Sequence, residues 1–334
     1  MNSIKSNKLL LDIVFEKNFK QVNIEKLENI DFEWLIDSFL VKQSLVMFYA
    51  SAGSGKSYFM LYLSKYLLDN NKVDRIFYFD GDNNERILKE RKGSEFLKSS
   101  NFYYFFSNNT NKFSLFRDLK KAKDLKNTLI VIDSIRNFIQ DDFNKDFTMI
   151  KVFDELQKIR DNGATIIFLH HQPKQKPDEN NKAYKGATTF LDSVDEGYFL
   201  HKKDIKADEE FVILLEPQKR RFATKSQAFK INTLNLEFKF VDYLKFAENH
   251  KTQITLNLVK EILNENKNGI CQQDLASKIK KKIEQDYVEI VGRNALWKLL
   301  DKYRNIYWSI FLKHKKKVER RKFLKYYNGD ILKI

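Results

Sequence analysis

Apolar residues along this chain fall into two rhythms. Between about residues 44 and 245, short runs rich in β-branched and aromatic side chains alternate with stretches whose apolar positions recur every three or four residues. Runs of that length suit strands buried on both faces, and the longer recurrence suits helices that cover them. Ser44–Tyr49, Arg75–Phe79, Phe102–Phe106, Thr128–Ile132 and Thr165–Leu169 are therefore predicted as strands. Tyr58–Leu68 is predicted as a helix with Met60, Leu63 and Leu67 on one face, and Met149–Arg160 as another with Val152, Leu156 and Ile159. After Val194 four runs follow with little room for helices: Gly197–Leu200, Phe211–Leu215, Ala228–Ile231 and Phe238–Val241. That spacing predicts antiparallel strands added to a parallel core, hence an α/β domain over residues 44–248 behind an N-terminal lead-in of residues 1–43.

The second rhythm begins after residue 250. A helix with apolar face Leu256, Val259, Ile262 and Leu263 is followed by a turn at Gly269. A second helix carries Leu275 and Ile279, and a third carries Leu296, Leu299, Leu300 and Tyr303. Two strand-like runs, Tyr307–Leu312 and Phe323–Tyr327, flank the basic turn His314–Lys322. Three helices and a basic hairpin predict a small winged helix-turn-helix domain over residues 251–334.

Composition sharpens this division. The chain has 334 residues, with 60 Lys and Arg against 45 Asp and Glu, a formal charge of +15. Its last 84 residues hold 20 Lys and Arg against 9 Asp and Glu, so +11 of that charge belongs to the C-terminal domain. Concentrated positive charge favours an anionic partner such as nucleic acid. With 43% hydrophobic residues and only 10 Gly and 3 Pro, disordered and collagen-like classes are excluded. Cys271 is the sole cysteine, which excludes an intramolecular disulfide. The apolar stretch Leu9–Phe15 is broken by Asp12 and followed by Glu16, unlike a secretory signal. No run reaches the roughly 18 to 20 apolar residues of a membrane span. A soluble, cytoplasmic protein without a membrane partner is expected.

The chemistry lies between the first predicted strand and helix. Ala50, Ser51, Ala52, Gly53, Ser54, Gly55, Lys56 and Ser57 form a P-loop, with Ala50 where the strict pattern has glycine. Gly53 and Gly55 let backbone N–H groups turn inward on phosphate oxygens, Lys56 adds a full charge, and Ser57 is placed to ligate Mg²⁺. The metal's second ligand is expected at the carboxyl end of a neighbouring strand, where Asp133 follows Leu129–Ile132. Hydrolysis also needs a group that orients or deprotonates water, and Asp80 and Asp82 both follow a strand. Asp82 is preferred, with Asp80 as the turn residue, although the reverse assignment stays open.

These residues together resemble the RecA-like ATPases, and within them the hexameric plasmid replicative helicases of the RepA type and their DnaB-like relatives. The resemblance covers about residues 30 to 245. It runs from Phe32, Glu33, Trp34, Leu35 and Ile36 through the P-loop, the acidic pair and Asp133 to Phe168–Lys174. It implies ATP and Mg²⁺ as cofactors, a homo-hexameric ring and single-stranded DNA as partner. It also implies that His171 ends the strand that senses the γ-phosphate. By the same likeness, Gln172–Tyr184 would be a DNA-facing loop carrying Lys174, Lys176 and Lys182, with Lys185–Thr188 as the turn after it. Within Glu216–Arg221, Lys219 and Arg221 would reach the neighbouring subunit's nucleotide. Asp82 departs from the glutamate usual in the family, leaving the carboxylate one methylene shorter.

In the C-terminal domain, Arg293, Asn294, Trp297 and Lys298 would face DNA from the recognition helix, with Lys315, Lys316, Lys317, Arg320 and Arg321 as the wing on phosphate. Winged helices also serve as protein-binding modules. The function expected is an ATP-hydrolysing, ring-forming DNA helicase or translocase acting in replication of a plasmid, phage or other mobile element, with the C-terminal domain on duplex origin DNA. The alternative is an ATP-switched DNA-binding or recombination-mediator ATPase that separates no strands. A metabolic P-loop kinase has no use for the basic domain.

Overall fold

A computed structural model describes residues 23–29, 32–107, 112–139, 146–171, 188–206, 209–286, 289–304, 307–315 and 319–326. The chain divides into two compact units, one of residues up to 201 with 215–226, the other of 202–214 with residues from 227 onward.

After a short helix, Ile24–Glu28, the first unit has a small antiparallel ladder, β1 (Trp34–Ile36) and β2 (Leu40–Val41). The central strands are β3 (Leu45–Ala50), β4 (Arg75–Asp80), β5 (Phe102–Phe106), β6 (Thr128–Asp133) and β7 (Thr165–His171). Each falls where the apolar runs predict it; β5 matches its run end to end, and the other four reach one or two residues further at the carboxyl end. Then come β8 (Glu196–Lys206) and β9 (Glu210–Arg220), each with residues in both units, and β10 (Gln227–Asn232) and β11 (Glu237–Val241), which belong to the second. These nine strands form one sheet in the order β11-β10-β9-β8-β3-β7-β6-β4-β5. Two strands, β6 and β7, thus separate the P-loop strand from β4, and all pairs from β3 to β5 are parallel. The expected α/β architecture, a mainly parallel sheet with the P-loop strand β3 inside it, is what the chain forms.

One expectation is corrected. β8 pairs parallel with β3, Val46 opposite Glu196 and Tyr49 opposite Phe199, whereas β10 and β11 are antiparallel. The helix Thr188–Ser193 lies before Val194, ahead of the stretch whose close spacing suggested only antiparallel strands, so that spacing held no sign of β8's direction.

Helices Lys56–Asp69 and Asp146–Asp161 cover the sheet. Met149, Phe153, Leu156 and Ile159 pack on alternate residues of β3, β6 and β7, such as Leu45, Met47, Ile130, Ile132 and Phe168. Burying side chains of this size at about 25 cal/mol per Å² is what fixes the register of the strand ends that carry polar groups.

The second unit contains helices His250–Glu265, Gln272–Asp286 and Arg293–Lys302. A three-stranded sheet, order β12-β14-β13, is made by β12 (Ile270–Cys271), β13 (Trp308–Lys315) and β14 (Glu319–Tyr326). The predicted apolar faces, Leu256, Val259, Ile262, Leu275, Ile279, Leu296, Leu299 and Leu300, converge on one core with buried Trp308. Its indole N–H donates to the Leu300 carbonyl at 2.8 Å. The hairpin strands are longer than predicted: Lys315 pairs with Glu319 and His314 with Arg320, so Lys315, Arg320 and Arg321 lie on strands rather than in a turn. An almost wholly charged run, Lys313–Lys322, with Val318 as its one apolar residue, hid that pairing.

Candidate nucleotide site

The P-loop follows directly from the strand that feeds it. Ala50 is the last residue of β3, with extended backbone, so the position needs no glycine. Gly53 (φ 75°) and Gly55 (φ 81°) are left-handed, a conformation that any L side chain would strain. Gly55 caps the helix that begins at Lys56, and these turns aim the loop's N–H groups and the helix's positive end into one concavity. The Lys56 ammonium donates to the Ala50 and Ser51 carbonyls at 3.2 and 2.8 Å. Burial lowers its pKa to about 8, against the pull of Asp133 and Asp82.

Asp133 and Asp80 are register partners at the carboxyl ends of β6 and β4, and both are buried. Tyr78 donates its hydroxyl to Asp133 at 2.9 Å, and Ser57 bonds the same carboxylate. Burial, then the charge of Asp80, pushes the Asp133 pKa up to about 6. A buried carboxylate beside a second one, touched by the Ser57 hydroxyl and held by hydroxyls rather than by cations, is a hard-oxygen set that fits Mg²⁺.

Asp80 and Asp82 occupy different places. Asp80 accepts the backbone N–H groups of Asp82 and Asn83, both at 2.9 Å, the Asn83 amide and the Tyr104 hydroxyl. Its lone pairs are spent on the turn. Asp82 is partly exposed and meets His171 Nε2 at 3.0 Å through Oδ2 and the Asn137 amide through Oδ1. The His171 bond is the main cause that holds its pKa below the usual carboxylate range, helped by Asn137 and Lys56. His171 in turn is the residue opposite Ala50 in the β3–β7 register. The ends of four strands, β3, β6, β4 and β7, thus place Lys56, Asp133, Asp82 and His171 around one loop. Its neighbour His170 is buried against Phe190, and burial lowers its pKa to about 3.

Tyr78, Tyr104 and Asn137 escaped the sequence reading. Alternation along β4 and β5 could have shown which tyrosines share a face, but only tertiary pairing brings Asn137 onto Asp82. Gly81 makes room for it: a Cβ there would lie 2.7 Å from Asn137 Cβ and 3.1 Å from Phe138.

Lys219 and Arg221 are not brought to this loop. The Arg221 guanidinium pairs with Asp195 at 2.8 Å, and Asp195 is bonded to Leu45, the first residue of β3. The P-loop starts at the other end of that strand, about 16 Å away at 3.3 Å per residue. Lys219 donates its ammonium to the Asp192 carbonyl.

Of the expected DNA contacts, Arg293, Asn294 and Lys298 are exposed on the third helix of the second unit, whereas Trp297 is half-buried against its core. Lys174, Lys176, Lys182, Lys316 and Lys317 lie outside the described residues. Among the described residues no helix is long and apolar enough to cross a membrane.

Residues 25–177 match the protein family described as AAA domain, a little under half of the chain. No curated protein matches the chain significantly. Solved structures that resemble it include the flagellar accessory protein FlaH from Methanocaldococcus jannaschii, 16% identical with a TM-score of 0.42, over 60% of this chain and 91% of that one. A KaiC-like protein from the hyperthermophile Pyrococcus horikoshii OT3 is 15% identical with a TM-score of 0.42, over 60% and 91% of the two chains. The RadB recombinase is 20% identical with a TM-score of 0.41, over 60% and 92%. The family match spans the P-loop, Asp82, Asp133 and His171. With the loop geometry, it supports a P-loop NTPase, an enzyme that binds and hydrolyses a nucleoside triphosphate.

Proposed function

We propose that this protein is an ATP-hydrolysing, ring-forming motor that translocates on single-stranded DNA in replication of a plasmid, phage or other mobile element. Its C-terminal unit acts as a winged helix-turn-helix domain on duplex DNA. The observation that carries this reading is the separation of Lys219 and Arg221 from their own P-loop by the length of β3. Cations that stabilise phosphoryl transfer but cannot reach their own nucleotide have to act on a neighbour's, which makes assembly part of the active site. The helix, short strand, two helices and hairpin of the second unit, with +11 of the charge after residue 250, favour duplex phosphate as that unit's partner.

In this mechanism the P-loop amides and Lys56 hold the β- and γ-phosphates, and Ser57 and Asp133 hold Mg²⁺. When bound, the metal neutralises phosphate charge. Asp82 orients the attacking water: its low pKa suits an acceptor that positions water more than one that removes a full proton before the bond breaks, and a loose phosphoryl transfer asks for little more. His171 and Asn137 fix where that carboxylate points. Lys219 and Arg221 of the adjacent copy meet the charge that develops on the γ-phosphate.

The test is Mg²⁺-dependent phosphate release with and without single-stranded DNA, together with strand displacement on a forked duplex. DNA-stimulated release that Lys56→Ala abolishes, with displacement of the paired strand, is expected. Release without displacement at any fork would replace the motor with the ATP-switched DNA-binding protein.

A further inference from the structure

Asp195 and Glu196 are adjacent buried carboxylates at the start of β8, outside the nucleotide site. Burying two neighbouring acids is costly, and a segment that only closed the sheet would do as well with apolar residues. Their bonds show what they hold. Asp195 accepts Leu45 N–H at 2.8 Å and returns its own N–H to the Leu45 carbonyl at 2.9 Å. The same carboxylate takes Arg160 Nη1 at 3.1 Å and Arg221 Nη1 at 2.8 Å. Glu196 accepts the N–H groups of Arg221 and Phe222 at 3.2 and 3.0 Å and the Thr224 hydroxyl at 2.8 Å. One acid therefore grips the side chain of Arg221 and the other its backbone. Gly197 continues the contact: a Cβ there would lie 2.4 Å from Leu191 Cδ2, and Lys219 Cβ is 3.6 Å from the same point.

We propose that Asp195 and Glu196 are positioning residues for the 219–221 turn, holding Lys219 and Arg221 in place for the phosphate of a neighbouring subunit. This rests on the reading that these two cations act in trans. The geometry favours presentation over permanent capture. Arg221 engages Asp195 through one amino nitrogen, and half of its side chain is exposed. Asp195 also keeps Arg160, whose side chain is mostly buried, so Arg221 can turn toward a phosphate without leaving the acid unpaired. A guanidinium anchored in this way loses less freedom on meeting its target than one on an unconstrained turn.

The test uses the full chain with ATP, Mg²⁺ and single-stranded DNA, and compares Asp195→Asn with Arg221→Ala. Asparagine keeps an acceptor for Leu45 and removes the charge. A fall in kcat of about 10- to 100-fold is expected, the range for a reacting group displaced by an ångström or so, with KM little changed. Mixing Asp195→Asn with Lys56→Ala should restore turnover, because the first keeps a sound P-loop and the second a sound turn. A subunit damaged in folding would not be rescued. Thr224→Val, which removes one bond to Glu196, should lower kcat less and in the same manner, and it decides the matter if Asp195→Asn is insoluble. The proposal is overturned if the soluble variants keep wild-type kcat while Arg221→Ala is inactive, or if their loss is not rescued in mixtures. Wild-type turnover in Arg221→Ala would instead remove the trans reading beneath it.

Discussion

The two ends of strand β3 treat carboxylates in opposite ways. At the P-loop end, Asp133 and Asp80 are held by hydroxyls, amides and backbone N–H groups, and Asp133 rises to a pKa of about 6. At the other end, Asp195 is matched by two guanidiniums, Arg160 and Arg221. Neutral donors satisfy an acid without cancelling its charge, so the first end remains ready for a cation. At the second end Asp195 is already neutralised, and there the acid fixes the cations. In the proposed function, one end receives charge and the other delivers it across a subunit boundary.

This contrast can be broken at either end. The largest effect is expected from Arg221→Ala: turnover should fall about 1,000-fold or more, as when an arginine finger is removed, while nucleotide affinity, read by equilibrium titration, barely changes. Next come the two turn acids. Asp82→Asn should lower kcat about 100-fold or more by removing the acceptor that orients water. Asp80→Asn, whose acid serves the turn, should appear chiefly as lost stability of about 1–3 kcal/mol in denaturant titrations. Equal kinetic damage from both would erase the division of labour between them. Gly81→Ala forces a Cβ against Asn137, so about 1–3 kcal/mol of stability should be lost together with part of the turnover.

The smallest effect concerns Glu196. Burial holds its carboxyl above the ordinary range, so the folded state keeps a proton that the unfolded chain releases. Its contribution is complete below the unfolded pKa of 4.5 and is lost as pH rises through the higher folded value. Glu196→Gln cannot titrate, so its stability relative to the parent should improve with rising pH across that window. Denaturant midpoints measured from pH 4 upward check this.

Much of the first end is legible in the sequence because its signals are local. The P-loop is eight consecutive residues, and Asp133 and His171 each close an apolar run whose length sets them at a strand end. The second end is barely legible. Asp195 and Glu196 look like an ordinary acidic pair before a strand and Arg160 like a solvated helix terminus, while Arg221, singled out by the family likeness, carries no sign of its partner. Their pairing spans 26 to 35 residues of chain and depends on β8 running parallel to β3, the one strand direction that spacing misjudged. Asn137 is missed for the same reason, since its partner Asp82 is 55 residues away. Short-range pattern identifies elements and the groups at their ends; which ends meet is decided by sheet order, which no local pattern contains.

The central claim is that the active site is divided between subunits, and mixing two inactive variants tests it most directly. Lys56→Ala keeps its turn and loses its phosphate site; Arg221→Ala does the reverse. Phosphate release is measured across mixing ratios, with formation of mixed assemblies verified by native mass spectrometry. The account predicts that activity returns and is greatest at intermediate ratios, where one sound P-loop meets one sound turn. Mixed assemblies that release no phosphate at any ratio would contradict it.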